Sequence, residues 1–446
     1  MKLWEKGIEL NKRIEEFTIG RDRELDLLIA RYDVLGSIAH IIMLHKVGLL
    51  TTEELALLHK ELITIFHQIE KGDFVIENDI EDIHSQVEFL LTKKLGEVGK
   101  KIHSARSRND QILLDIKLFT RVKILEIVTS VTNLFNTLIK LSEKYKKDLM
   151  PGYTHLQLAM PSSFGLWFGA YAESLADDLE VLLAAYKIAN QNPLGSAASY
   201  GSSFPIDRQM TTDLLGFDNM NYNVLYAQMT RGKTEKIVAQ ALGTIAFTLS
   251  KLSYDVCLYM SQNFGFFSLP DELTTGSSIM PHKKNPDVFE LVRAKCNKIQ
   301  ALANEVMSIT NNLPSGYFRD FQVIKESYFE IFDTLKMCIE ITDFSLAELQ
   351  VKHDLLKDEK YKYIFSVDEL NKIVLNGIPF RQAYQIVGES IKNGTFNPSK
   401  ELNHTHFGSI GNLCNNEIKG KFEKTALNFD RNKILMAEKS LLIERS

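Results

Sequence analysis

The ten prolines of this chain leave three long stretches without any, residues 1–150, 206–269 and 315–378. Proline removes a backbone donor and clashes with the preceding turn, so helix interiors exclude it. Proline-free stretches that also carry helical patterning permit long helices. After Asp110, apolar side chains recur at Leu114, Leu118, Val122, Leu125, Val128, Val131, Phe135, Leu138 and Tyr145, mostly in steps of three and four. This segment stops before Pro151-Gly152, a turn signal. Further helices are expected from about Ser162 to Asn190, Thr230 to Met260, Asn285-Pro286 to Thr310, and Gln322 to Leu349. In the fourth, Asn285 is the expected N-cap and Pro286 the first helical residue. Strand alternation is weak, so the expected fold is all-α. A central bundle of five long helices (residues 111–350) is flanked by smaller helical domains at 1–110 and 351–446. Helices of about 25–40 residues span ~40–60 Å, more than one compact core needs, which points to burial against copies of the same chain.

Composition narrows the partners. The chain has 446 residues, of which 45% are hydrophobic and 24% charged, as in ordinary globular proteins. A net charge of -5 gives no general attraction to nucleic acid or to anionic membranes, so the positive charge that holds an anionic ligand must be local. No apolar run suits a signal peptide or a membrane span, and a cytoplasmic location is expected. The four cysteines, at 257, 296, 338 and 414, form neither a disulfide framework nor a zinc pattern, and are read as reduced and mostly buried. His404 and His406 read as a surface loop without acidic partners, and His40 and His45 as packing residues. No metal and no organic cofactor is expected.

Four loops between the helices carry residues of catalytic type. The first, Lys100 to Gln111, holds Arg106, Arg108 and Asn109 before a helix, where guanidinium groups and free N–H groups suit a carboxylate. Alone, it fits equally a solvated basic loop that caps the helix with Asn109 or Asp110. The second, Met150 to Gln157, presents Thr154 and His155 from an expected Pro-Gly turn; His155 titrates near neutrality and suits proton transfer, or a structural hydrogen bond. The third, Thr274 to Pro286, combines Gly276, Ser277 and Ser278 with Lys283 and Asn285. A small, mobile segment whose glycine permits unusual backbone angles suits a lid over an anion. The fourth, Leu313 to Lys325, spaces Tyr317, Gln322 and Lys325 along one side of a helix start, a weak signal by itself.

Taken together, GSSIMPHKKNP at 276–286, HSARSRNDQ at 103–111, MPGYTHLQ at 150–157, PLGSAASYGSSFPIDR at 193–208, GYFRDFQ at 316–322 and VDELNKIVLNGIPFRQAYQIVG at 367–388 resemble the fumarase/aspartase superfamily. The form of 103–111 resembles its argininosuccinate lyase family. The resemblance implies cofactor-free elimination of argininosuccinate to arginine and fumarate, in a homotetramer whose active sites are shared between subunits. It implies Ser277 as the base and His155 as the second proton-transfer residue, oriented by Glu290, with Lys283 beside Ser277. It implies Arg108, Asn109, Thr154, Lys283 and Asn285 as ligands of the succinyl part, and Tyr317, Gln322 and Lys325 as ligands of the arginine end. Fumarase, aspartase and adenylosuccinate lyase share the loop at 276–286; a non-catalytic lens protein of the same family would have a damaged catalytic set. The sequence departs from the family at LWEKG near the start, at His282 (often Gln), and at 18–23, which lacks a serine common there.

Overall fold

The computed structural model describes residues 12–444; the LWEKG departure lies outside the described residues. Helices dominate. The longest helices before the bundle are α1 (Ala30–Lys46), α2 (Thr52–Lys71) and α3 (Ile83–Leu95), alongside the shorter Lys12–Ile19, Asp22–Asp26 and Glu97–Lys100. The bundle is α4 (Arg108–Lys144), α5 (Phe164–Ala189), α6 (Lys233–Met260), α7 (Asp287–Thr310) and α8 (Phe321–Ala347). These are the five long helices expected from the proline gaps. Later come α9 (Ser366–Leu375), α10 (Phe380–Lys392), α11 (Asn415–Ala426) and α12 (Arg431–Leu441). Among the described residues, strands form only two-stranded sheets, one of them the hairpin of β1 (Leu149–Thr154) and β2 (Gln157–Ser163) between α4 and α5.

One apolar core runs from Leu25 to Leu441, with a small separate cluster around Leu370, Ala383, Val387 and Phe396. Phe135 of α4 stacks on Phe422 of α11 with centroids 3.9 Å apart, so the last segment of the chain folds back onto the bundle. The reversal from α4 into α5 depends on Gly165. A Cβ there would lie 2.6 Å from both the Ser142 carbonyl oxygen and the Lys146 Cα, so only glycine admits this approach.

Several local expectations need correction. The helix start at Asn285-Pro286 is shifted: Pro286 is the N-cap and makes no side-chain bond, while the Asn285 amide turns back toward Thr275 Oγ1 and the Gly276 carbonyl, 3.4 Å from each. Ser107, not Asn109 or Asp110, caps α4. His404 is not without an acidic partner, its Nε2 lying 2.7 Å from Asp368 Oδ1. His40 is buried, but His45 is half exposed and meets Thr52. Only Cys296 and Cys338 are buried; Cys257 and Cys414 are half-buried, and all four are free thiols.

Candidate active site

The residues singled out by sequence fall at the two ends of the bundle. Near the head of α4, Ser107 and Asp110 form a capping box in which Asp110 Oδ1 accepts the Ser107 N–H at 2.8 Å. The other Asp110 oxygen accepts the N–H groups of Gly195 and Ala197 at 3.0 and 2.8 Å, tying the 193–197 turn to the helix start. This fixes the backbone on which Arg108 and Asn109 stand.

Arg108 and Asn109 line a cavity of about 270 Å³ together with Tyr317, Gln322 and Lys325. The tertiary structure thus joins two loops that lie far apart in sequence. It also adds residues that the sequence reading missed: Asp22, Asp26, Glu81, Asp82, His84, Arg231 and Arg319. The run Glu81-Asp82-Ile83-His84 and the i, i+4 pair Asp22/Asp26 were the available signals, but neither says what it faces.

The cavity wall is a mosaic of opposite charges. Lys325 Nζ sits 2.7 Å from Asp26 Oδ1 and also pairs with Asp22. Arg108 reaches Ser85 Oγ at 2.5 Å, Asp82 at 3.2 Å and Glu81 at 3.3 Å, while Arg319 takes the other Glu81 oxygen at 2.8 Å. Gln322 donates to the carbonyls of Thr18 and Ile19 at 2.9 and 3.0 Å, so the serine-free stretch at 18–23 forms part of this wall. Burial pushes the Asp22 carboxyl up to about 6 against the pull of Lys325; burial likewise raises the Tyr317 phenol. Interleaved carboxylates and cations of this kind suit a ligand that carries both signs of charge.

The other expected residues stand elsewhere. In the β1–β2 hairpin, Pro151-Gly152 lies within a strand at an irregularity of the register, and the turn comes later, at His155-Leu156. Both turn residues are left-handed, with φ of 54° and 57°. Such a two-residue turn favours Asn and Gly, so histidine and leucine here are costly choices. Thr154 and His155 are exposed at the tip.

A bridge between Thr275 and Asn285 closes the third loop, with N···O distances of 3.3 and 2.9 Å. Ser277 Oγ accepts the N–H of Met280 at 3.1 Å and, more weakly, that of Ile279 at 3.4 Å. Gly276 does not adopt a positive φ, so its expected unusual backbone angle is not used in this conformation. Lys283 and Glu290 are exposed. Among the described residues, no hydrogen bond or ion pair joins His155 to Glu290 within the chain.

The separation of the two groups follows from helix geometry. Gly232, before α6, packs on Thr310 at the end of α7 and on Phe321 at the start of α8, which marks the cavity end. Ser277 and Glu290 lie at the start of α7, whose 24 residues rise ~36 Å. The hairpin joins them at the far end, with Tyr153 packed 5.4 Å from Phe264, just past α6.

Comparison with known proteins agrees with this architecture. A family model described as Lyase matches residues 1–301. The chain is 62% identical over 441 residues to argininosuccinate lyase of Bacteroides fragilis and 61% identical to that of Bacteroides thetaiotaomicron, covering 99% of each pair. It is 39% identical to argininosuccinate lyase of Thermotoga neapolitana, over 87% of this chain and 98% of that one. Among solved structures, EDDS lyase in complex with formate superposes with a TM-score of 0.77 at 20% identity, covering 97% of this chain and 95% of that one. A class II fumarase from Schistosoma mansoni gives 0.72 at 15% identity, over 94% of each. By full-length identity and by fold, the chain belongs to the argininosuccinate lyase family of the fumarase/aspartase superfamily.

Proposed function

We propose that this chain is an argininosuccinate lyase, which splits argininosuccinate reversibly into L-arginine and fumarate in the cytoplasm. Elimination requires a proton to leave the carbon beside a succinyl carboxylate, with the added negative charge stabilised until the C–N bond breaks. A free serine hydroxyl is a very weak base. The observation that carries the chemistry is that the N–H groups of Met280 and Ile279 are aimed at Ser277 Oγ. Donors aimed at an oxygen favour its anionic form. In this reading Ser277 takes the carbon proton, Lys283 adds positive charge beside it, and His155, oriented by Glu290, handles the proton at the leaving nitrogen. Arg108, Asn109, Thr154 and Asn285 hold the succinyl part; Tyr317, Gln322 and Lys325 hold the arginine end. No cofactor takes part.

In this reading the complete site is assembled between subunits of a homotetramer, which the separation of these groups toward opposite ends of one chain's bundle supports. Two features support this assembly. Phe247, Met337 and Phe344 stand exposed on long helices, and Leu156 is 66% exposed at the hairpin tip, an unfavourable place for leucine in a monomer. Following fumarate absorbance with purified protein tests the function. Release from argininosuccinate, but not from adenylosuccinate, malate or aspartate, is the expected result; no release from argininosuccinate overturns the reading.

A further inference from the structure

Behind the cavity wall lies a buried group that the proposed mechanism does not use. His84 Nδ1 is 2.7 Å from Asp33 Oδ1, and Asp115 Oδ2 lies 3.7 Å from the same nitrogen. All three side chains are buried, and they come from α1, α3 and α4. Such a triplet has the donors of a cation site. The imidazole takes Asp33, and the buried Arg106 guanidinium lies near both aspartates, while burial and the neighbouring Asp33 charge hold the Asp115 carboxyl well above its ordinary value.

The other face of the ring points to a different role. His84 is only 6% exposed, yet it lines the cavity. Its Nε2 has no hydrogen-bond partner among the described residues and is not among the fully buried unpaired atoms, so it opens into the cavity. Burial alone opposes a charge on this ring. The carboxylates of Asp33, then of Asp82 and Asp26, outweigh it and raise its pKa. Asp26 faces the ring from the short helix Asp22–Asp26, Asp82 from the residues before α3, Asp115 from α4 and His103 from the turn before α4. Arg108 lines the same cavity and holds Ser85 and Asp82, which flank the ring's own segment. With Nδ1 donating to Asp33, Nε2 accepts when the ring is neutral and donates when it is protonated, the form that the surrounding carboxylates favour.

We propose that His84 is a further substrate-binding residue: an imidazolium clamped by Asp33 presents its free Nε2–H to a carboxylate of the ligand. Asp33 is then a positioning residue that fixes the ring and its charge, with Asp115 behind it. The inference rests on the reading of the ligand as a polycarboxylate.

The test is steady-state kinetics of His84→Gln, with fumarate release from argininosuccinate as the readout and melting temperature as the folding control. A KM raised at least about tenfold with kcat within about threefold is expected, because a ground-state contact is lost. In the wild type, KM should also climb as pH rises through the elevated His84 pKa, since the donor charge is lost there; the variant should lack that limb. A folded variant whose KM stays within twofold overturns the proposal, as does a loss confined to kcat. If His84→Gln does not fold, nitrogen-15 histidine spectra of the wild type decide. An imidazolium resonance that shifts on saturation with L-arginine plus fumarate is expected; a neutral or unmoved His84 overturns the proposal. A wild type that releases no fumarate defeats the functional reading instead, so the two failures are distinct.

Discussion

Lys325 Nζ lies 2.7 Å from Asp26 Oδ1, although the two residues are 299 positions apart in the chain. The same ammonium also pairs with Asp22, so two carboxylates share one buried cation. The second carboxylate is therefore in surplus, and its burial is only partly compensated.

That surplus predicts a pH-dependent stability. Burial raises the Asp22 carboxyl from 3.8 to about 6, so its contribution favours folding below its ordinary value and is lost as pH rises through about 6. Asp22→Asn, which cannot ionise, should be more stable than wild type at pH 8 by roughly 1–2 kcal/mol. The gain should disappear near pH 4. Thermal melts at the two pH values check this, and a lower melting temperature at pH 8 would contradict it.

Ser277→Ala should reduce kcat by about 1,000-fold or more, because the group proposed to remove the proton is gone. Binding should persist, since Ser277 lies in the loop closed by the Thr275–Asn285 bridge and not in the cavity lined by Lys325. Calorimetric titration with L-arginine plus fumarate should give a Kd within about threefold of wild type. A single-turnover rate within about tenfold of wild type would remove Ser277 from the role of base.

The distance between the two ends of the bundle gives a complementation test. Lys325→Met marks the cavity end and Ser277→Ala the loop end, and each protein alone should be inactive. If the two residues of a site come from different chains, random reassembly of an equal mixture leaves roughly one quarter of sites with neither defect. Recovered activity near that level is the expected result. An inactive mixture, with subunit exchange verified by native mass spectrometry, would place the site within one chain.

Gly165→Ala should destabilise the chain by about 1–3 kcal/mol, the usual range for overpacking. The added Cβ meets backbone atoms at Ser142 and Lys146, which cannot rotate away. Urea unfolding measures the loss; an unchanged midpoint would mean that α4 and α5 separate easily.

Much of the fold was legible in the sequence. The proline gaps and the steps of three and four located α4 to α8 to within a few residues, because these are local properties of the chain. The motifs exposed the chemical types: Ser277, His155 and Lys283 stand out as reactive groups in polar loops wherever the chain takes them. Local signals misplaced details that depend on competing partners. Asn285 had the composition of an N-cap, but its amide is taken by the bridge to Thr275 and Gly276. Pro151-Gly152 had the composition of a turn, but pairing of the hairpin strands moved the turn to His155-Leu156.

What the sequence determined by itself was therefore the helices, their lengths and the inventory of reactive side chains. The tertiary structure decided which of these face one another. Arg108 joins Lys325 in one cavity because α4 and α8 begin at the same end of the bundle. Ser277 stays apart from them because α7 runs the other way. Asp33, His84 and Asp115 meet in the core, although no spacing along the chain announces it. Periodicity records which face of a helix is apolar; it carries no information on which neighbour that face will bury, and charge pairing between distant segments depends on that choice.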